Sequence, residues 1–151
     1  MYICEIETRF GTVQVLSDDE GIRRINLPGA VYDGETTPGD PHGASDQLRA
    51  YFLGKRRTFD LPLCLEGTDF QKSCWMAIAR IPYGETRLYK EIAEQVGSPK
   101  AFRAVGAAMH DNPIPIILPC HRVVSRSGLR GFAGGLDMKA GLLALEGATL
   151  G

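Results

Sequence analysis

The run Asn112-Pro113-Ile114-Pro115-Ile116-Ile117-Leu118-Pro119-Cys120-His121-Arg122-Val123-Val124 constrains this chain more than any other stretch. Three prolines within seven residues exclude a helix interior, because each lacks a backbone N–H and pushes its predecessor toward extended geometry. The spacing predicts a stiff, extended insertion with buried apolar side chains. At its end it delivers Cys120, His121 and Arg122 in succession. A cysteine beside two basic side chains has surroundings that favour the thiolate, the form that acts as a nucleophile. A plainer reading fits the same residues: a cysteine among Ile, Leu, Pro and Val is often a small core filler, and apolar burial raises its pKa and makes it inert. The run alone leaves both readings open.

At 151 residues the chain is long enough for one domain or two small ones. Its composition, 44% hydrophobic and 23% charged, is that of a soluble globular protein. No stretch approaches the roughly 18 apolar residues of a membrane span. Met1 leads into Tyr2-Ile3-Cys4-Glu5-Ile6 rather than a basic and then apolar signal segment. Neither secretion nor a membrane partner is expected. Cys4, Cys64, Cys74 and Cys120 form no C-x-x-C pair, which argues for a reducing compartment and against a disulfide framework. A structural zinc requires distant residues such as Cys4, Cys64 and His42 to converge, and no metal is expected.

The net charge of -1 hides an uneven distribution. Residues 1 to 66 carry 7 Lys and Arg against 11 Asp and Glu, whereas residues 98 to 130 carry Lys100, Arg103, Arg122, Arg126 and Arg130 against Asp111 alone. A concentrated positive segment is the usual footprint of phosphate binding, although scattered surface arginines also occur in proteins that bind no nucleic acid.

Two domains are expected, 1–66 and 67–151. In the first, Tyr2 to Arg9, Thr12 to Leu16 and Ile22 to Leu27 alternate like half-buried strands and predict an antiparallel meander. Residues 28 to 43, rich in Gly, Pro, Asp and Thr, predict a long loop. Ala44 to Phe52 reads as a helix stopped by Gly54, and Thr58 to Leu65 as an extended segment. In the second, Thr68 or Asp69 caps a helix from Phe70 to Ile81. Thr86 caps a short helix through Val96, and Ser98 and Pro99 begin another that runs through Met109. Two such helices about a glycine-containing turn form a helix-turn-helix signature, which plain structural hairpins share. The second helix carries small residues at Ala101, Ala104, Gly106, Ala107 and Ala108, with Lys100 and Arg103 as its long basic groups. Such a helix suits a tight groove read by shape better than base-edge readout. A glycine-rich wing follows at 125–135, and a last helix runs from Asp137 to Glu146.

Pro119-Cys120-His121-Arg122-Val123, the Asn112-Pro113-Ile114-Pro115 run, Ile81-Pro82-Tyr83-Gly84-Glu85-Thr86, Tyr89, Ala101 to Gly106, and Gly134-Gly135-Leu136 leading to Leu145-Glu146-Gly147 together resemble the O6-alkylguanine-DNA alkyltransferases. The likeness covers residues 70 to 147 strongly and residues 1 to 66 only in layout. It implies a small N-terminal α/β domain with an antiparallel sheet, joined to a mainly helical domain with a helix-turn-helix and a glycine-rich wing. It also implies direct, irreversible transfer of an alkyl group from O6 of guanine, less well O4 of thymine, to Cys120.

By the same resemblance His121 takes the thiol proton through a water, Glu146 orients His121, and Asn112 holds the turn before the active-site segment. Tyr89, Lys100, Ala101, Arg103, Ala104, Gly106 and Arg122 are the implied DNA-binding residues, with Arg103 filling the space of a flipped nucleotide. Met109, Pro115, Val123, Phe132, Ala133 and Gly134 are the implied pocket. The implied partner is double-stranded DNA, bound through its minor groove by a monomer that can cluster along it. No cofactor is implied, and the location is cytoplasmic, or nuclear in a eukaryote. Phe132 and Ala133 replace the Tyr and Ser of many relatives, and Phe102 stands where a small residue is common, either packed inward or bulging toward DNA. A silent DNA-binding protein and a Cys-His-Glu hydrolase are the competing classes.

Overall fold

A computed structural model describes residues 1–148; the last three residues of the expected second domain lie outside the described residues. The chain divides into two compact units, Met1–Leu65 and a second beginning at Glu66.

In the first unit, β1 (Tyr2–Thr8) and β2 (Gly11–Ser17) form a hairpin in register from Tyr2 opposite Ser17 to Thr8 opposite Gly11. β3 (Ile22–Asn26) continues the antiparallel order on the other side of β2. The period-2 pattern buries Val13 and Val15 of β2 and Ile6 of β1. The meander is as its alternation predicts. The loop after it holds one element that short-range pattern did not reveal: β4 (Thr37–Pro38) adds to the free edge of β1 in parallel. Helix α1 (Ala44–Phe52) buries Ala44, Leu48 and Tyr51. Its first N–H groups are met by Asp40, whose carboxylate accepts from Ala44 N–H at 2.9 Å and Ser45 N–H at 3.0 Å. The segment before residue 65 is extended, with Pro62 O and Cys64 N–H bonded to Ile22.

In the second unit, α2 (Asp69–Ala79) begins in a capping box: Gln71 N–H donates to Thr68 Oγ1, and Thr68 N–H to Gln71 Oε1. Its buried face is Cys74, Trp75, Ala77 and Ile78. Trp75 is its largest buried side chain and donates to Ala108 O at 2.9 Å. The two-residue strand β5 (Arg87–Leu88) precedes α3 (Tyr89–Gln95), so Thr86 is not the cap. Leu88 occupies that position instead, its N–H satisfied by the Glu91 carboxylate at 2.8 Å. Helix α4 (Phe102–His110) starts after Ala101, and Ser98 O accepts from Ala101 N–H in the turn before it. Ser98 and Pro99 therefore shape the inter-helix turn rather than open the helix. A 3-10 turn at Cys120–Arg122 leads into β6 (Val123–Val124), which pairs in parallel with β5. Helix α5 (Leu136–Leu145) closes the unit.

The expected wing is limited to one antiparallel bridge between Ser125 and Gly128, and residues 129–135 carry no regular element. Among the described residues no helix is long and apolar enough to cross a membrane.

Candidate active site

The proline run turns back on itself, which corrects the expected extended insertion. Leu118 N–H donates to Ile114 O at 2.9 Å, and Ile116 takes φ 75°. That left-handed region is strongly disfavoured for a β-branched residue. Burial and one side chain hold the turn. Ile114, Ile116 and Leu118 are all buried. Asn112 spans the loop, its Oδ1 accepting from Ile114 N–H at 3.0 Å and its Nδ2 donating to Leu118 O at 2.8 Å. The prolines exclude helix, as expected, but a tight loop satisfies them equally well.

The loop hands the chain to the 3-10 turn that carries Cys120, His121 and Arg122. Pairing of β6 with β5 sets Arg87 opposite Val123 and Leu88 opposite Val124, and α3 starts at the next residue with Tyr89. Two strands of two residues each thus bring a cysteine and a tyrosine 31 positions apart in sequence to one place.

His121 is fully buried, and its Nε2 lies 2.8 Å from Glu146 Oε2. A carboxylate only accepts, so Nε2 carries the proton and Nδ1 of the neutral ring presents a lone pair. No hydrogen-bonding partner within the described residues meets that Nδ1. Burial, the largest influence, lowers the imidazole pKa, with Glu146 opposing and Arg122 and Lys139 reinforcing.

Arg122, expected among the DNA-binding residues, points inward. It is buried; Nε and Nη2 donate to the two Glu146 oxygens at 2.8 and 3.0 Å, and Nη1 donates to Ile81 O at 2.6 Å. Its guanidinium also lies over the Tyr83 ring. Glu146 further accepts from Gly84 N–H at 3.4 Å, a reach that the turn permits because Gly84 has φ 82°.

These contacts overturn the idea that His121 and Arg122 supply the positive surroundings of the cysteine. The imidazole is held toward neutrality, and the guanidinium is matched by Glu146. The cation that acts on Cys120 is Lys139, on α5 about two turns before Glu146 and fully buried. Its Nζ donates to Val123 O at 2.7 Å and lies over the Tyr89 ring. Burial pulls the Lys139 pKa down from 10.5 to about 8, against the attraction of Cys120. Burial pushes the Cys120 thiol up, while the Asn112 side chain and Lys139 draw it down. Burial, the largest influence, thus favours the protonated thiol at rest, and Lys139 is the cation that opposes it. Sequence reasoning missed Lys139 because a lysine in an ordinary helix carries no local mark of burial.

Cys120 lies on the wall of a cleft of about 1130 Å³. Tyr89, Lys100, Arg103, Gly106, Met109, Phe132 and Ala133 line the same cleft, together with Phe102. Phe102 is 50% exposed, which resolves its placement in favour of the surface. Pro115 and Val123 are buried and do not line it, and neither does Gly134. They sit outside the wall for distinct reasons: Pro115 belongs to the Asn112 loop and Val123 to the strand pair. Ala101 precedes α4 and Ala104 lies exposed on it, both outside the cleft lining. Lys90, Arg126 and Arg130 join Lys100 and Arg103 in the lining, and among the described residues no carboxylate does. Tyr89 is kept protonated, its pKa raised by burial and by Cys120, with Arg130 opposing. Among the described residues, no group of three His, Cys, Asp or Glu side chains is placed to hold a metal.

Residues 69–148 match the family model described as 6-O-methylguanine DNA methyltransferase, DNA binding domain. Residues 1–65 match that described as 6-O-methylguanine DNA methyltransferase, ribonuclease-like domain. A methylated-DNA–protein-cysteine methyltransferase of Methanosarcina acetivorans is 46% identical over 158 residues, covering 98% of this chain and 99% of that one. The constitutive protein of the same name from Bacillus subtilis is 43% identical over 156 residues, covering 96% and 94%. The crystal structure of Mycobacterium tuberculosis OGT in complex with DNA superposes with a TM-score of 0.91 at 43% identity, covering 97% of this chain and 93% of that chain.

Proposed function

The chain belongs to the 6-O-methylguanine DNA methyltransferase family, and from that premise we propose how its own side chains carry the reaction. The protein repairs DNA by moving an alkyl group from the damaged base onto one of its cysteines. Cys120 is the acceptor, as the cysteine that lines the cationic cleft. Its Sγ bonds to the alkyl carbon as the bond from that carbon to guanine O6 breaks. The thiol proton passes to His121 Nδ1 through a bridging water, Glu146 holding the opposite nitrogen. Guanine gains a proton as it leaves, and Tyr89 is the protonated hydroxyl in the cleft able to donate it. Lys139 stabilises the sulfur while it is negative.

The thioether that forms has no hydrolytic route in this site, so each molecule reacts once. The same site works little on a base still in its stack. Cys120 is only 6% exposed, and O6 of a paired guanine cannot reach it until the nucleotide has swung out. Among the described residues, five Lys and Arg side chains and no carboxylate line the entrance, a field suited to phosphates. On α4, a Cβ at Gly106 would meet nothing within the chain, although glycine in a helix costs about 1 kcal/mol relative to alanine. That open space supports close approach of the minor groove, with Arg103 from the same helix taking the place of the extruded nucleotide.

The single observation that carries this reading is the pairing of a cleft-lining thiol with a buried histidine whose remaining nitrogen is a lone pair. Cys120→Ala tests it: alkyl transfer from O6-methylguanine DNA is lost while duplex affinity is kept. A variant protein that still accepts the alkyl group contradicts the assignment.

A further inference from the structure

Glu146 stands at the meeting point of two different demands. It must hold His121 by Nε2, yet a lone buried carboxylate beside an imidazole favours the imidazolium, which cannot accept a proton from Cys120. The structure answers with Arg122. Both arms of its guanidinium reach the two oxygens of Glu146, while the third nitrogen is anchored on the Ile81 carbonyl, at the end of the turn that carries Tyr83 and Gly84. The arginine is 6% exposed, so its charge is spent inside the protein.

We propose that Arg122 is a positioning residue for alkyl transfer: by neutralising Glu146 through a two-pronged contact, it keeps His121 an uncharged base with its Nδ1 lone pair available. This rests on the reading of His121 as the proton acceptor. The groups that face the imidazole all bear on the outcome. Among the described residues Glu146 at the end of α5 is the carboxylate, Lys139 of α5 is a second cation, and Cys120 and Arg122 flank it on its own turn. Phe132 approaches the ring edge-on at 6.4 Å and brings no charge. Balanced, this set holds one negative charge against two positive ones, and Arg122 is the one bonded to the carboxylate. Without it the carboxylate acts on His121 with only Lys139 to oppose it. A lysine would give up the planar fork but keep a positive charge beside Glu146, and it is that charge which holds His121 uncharged.

The experiment reads His121 directly. Histidine labelled with 15N reports tautomer and titration for the three histidines, His42, His110 and His121, in the full chain, and single-turnover transfer from free O6-benzylguanine is followed across pH on the same proteins. In wild type, His121 stays neutral with the proton on Nε2 to well below the usual imidazole range. In Arg122→Gln the His121 titration moves to higher pH, and the acid limb of the transfer rate moves with it. An opposite charge a few ångströms away shifts a titration by about one to three pH units. At the acid end the variant is therefore about tenfold slower than wild type, and it recovers toward the alkaline end. A folded Arg122→Gln protein whose His121 titrates as in wild type, with the rate lowered equally at every pH, overturns the proposal and leaves Arg122 a packing residue. Arg122→Lys is the second variant: a wild-type His121 titration supports the proposal, and a raised one overturns it even if Arg122→Gln fails to fold. If the titration moves but the rate profile does not follow, Arg122 acts as proposed and it is His121 as proton acceptor that fails.

Discussion

Replacing Lys139 with methionine should separate what the fold tolerates from what the chemistry needs. The ammonium is fully buried, and its pKa falls from 10.5 to about 8. At about 1.4 kcal/mol per pH unit, keeping it charged at pH 7 costs the folded state about 3 kcal/mol. The sign follows from proton counting. Below pH 8 both folded and unfolded chains hold the proton and the full cost is present. Between about 8 and 10.5 the folded chain has released it and the unfolded chain has not, so wild type gains stability as pH rises. Lys139→Met has no such gain. The variant also leaves Val123 O without its 2.7 Å donor, a loss of about 1–3 kcal/mol at every pH. The stability difference between variant and wild type therefore moves against the variant by about 3 kcal/mol from pH 7 to pH 10.5. At pH 7 the variant is as stable as wild type or more so, and at the alkaline end it is less stable. Urea unfolding at both pH values measures this. A difference that does not change with pH refutes the account of a buried ammonium held at a cost. In the same variant, carboxamidomethylation of the Cys120 peptide should begin at higher pH, because the cation that draws the thiol down is gone.

Asn112→Ala removes both bonds that close the loop around Ile116 and should cost about 2–4 kcal/mol in urea unfolding, with Cys120 alkylation again beginning at higher pH. Arg103→Ala should slow repair of duplex DNA far more than reaction with free O6-benzylguanine, since only the duplex needs the extruded nucleotide replaced; equal losses would place Arg103 in the pocket or the fold. Gly106→Ala should raise stability by up to about 1 kcal/mol, as the added methyl meets nothing in the chain, and yet weaken duplex binding in a titration. Unchanged binding would show that DNA does not approach α4 there.

Local pattern carried the elements whose causes are local. The β1–β2–β3 meander shows in two-residue alternation, α1 in its spacing, and α2 in Thr68, one of the two residues expected to cap it. What stayed hidden depends on residues far apart. β5 and β6 are too short to show a period, and each exists because the other pairs with it across 36 positions. Arg122 looked like a phosphate ligand because its partner Glu146 lies 24 residues on, and only their meeting removes it from the surface. Lys139 gave no sign because a helical lysine is ordinarily solvated. In the proline run, prolines forbid a helix without choosing between a rod and a loop, and Asn112 makes that choice. The resemblance to the alkyltransferases named Cys120, His121, Glu146 and Asn112 with roles that spacing alone leaves open. It also put Pro115, Val123 and Gly134 on a pocket wall that they do not form.

The most direct test is the mass of each cysteine-containing peptide after reduced protein meets an excess of duplex carrying O6-methylguanine. The account predicts one methyl group, on the peptide containing Cys120, with repair ending when each protein molecule has taken one. Methylation at Cys4, Cys64 or Cys74 instead, or continued repair by protein whose Cys120 stays unmodified, would contradict it.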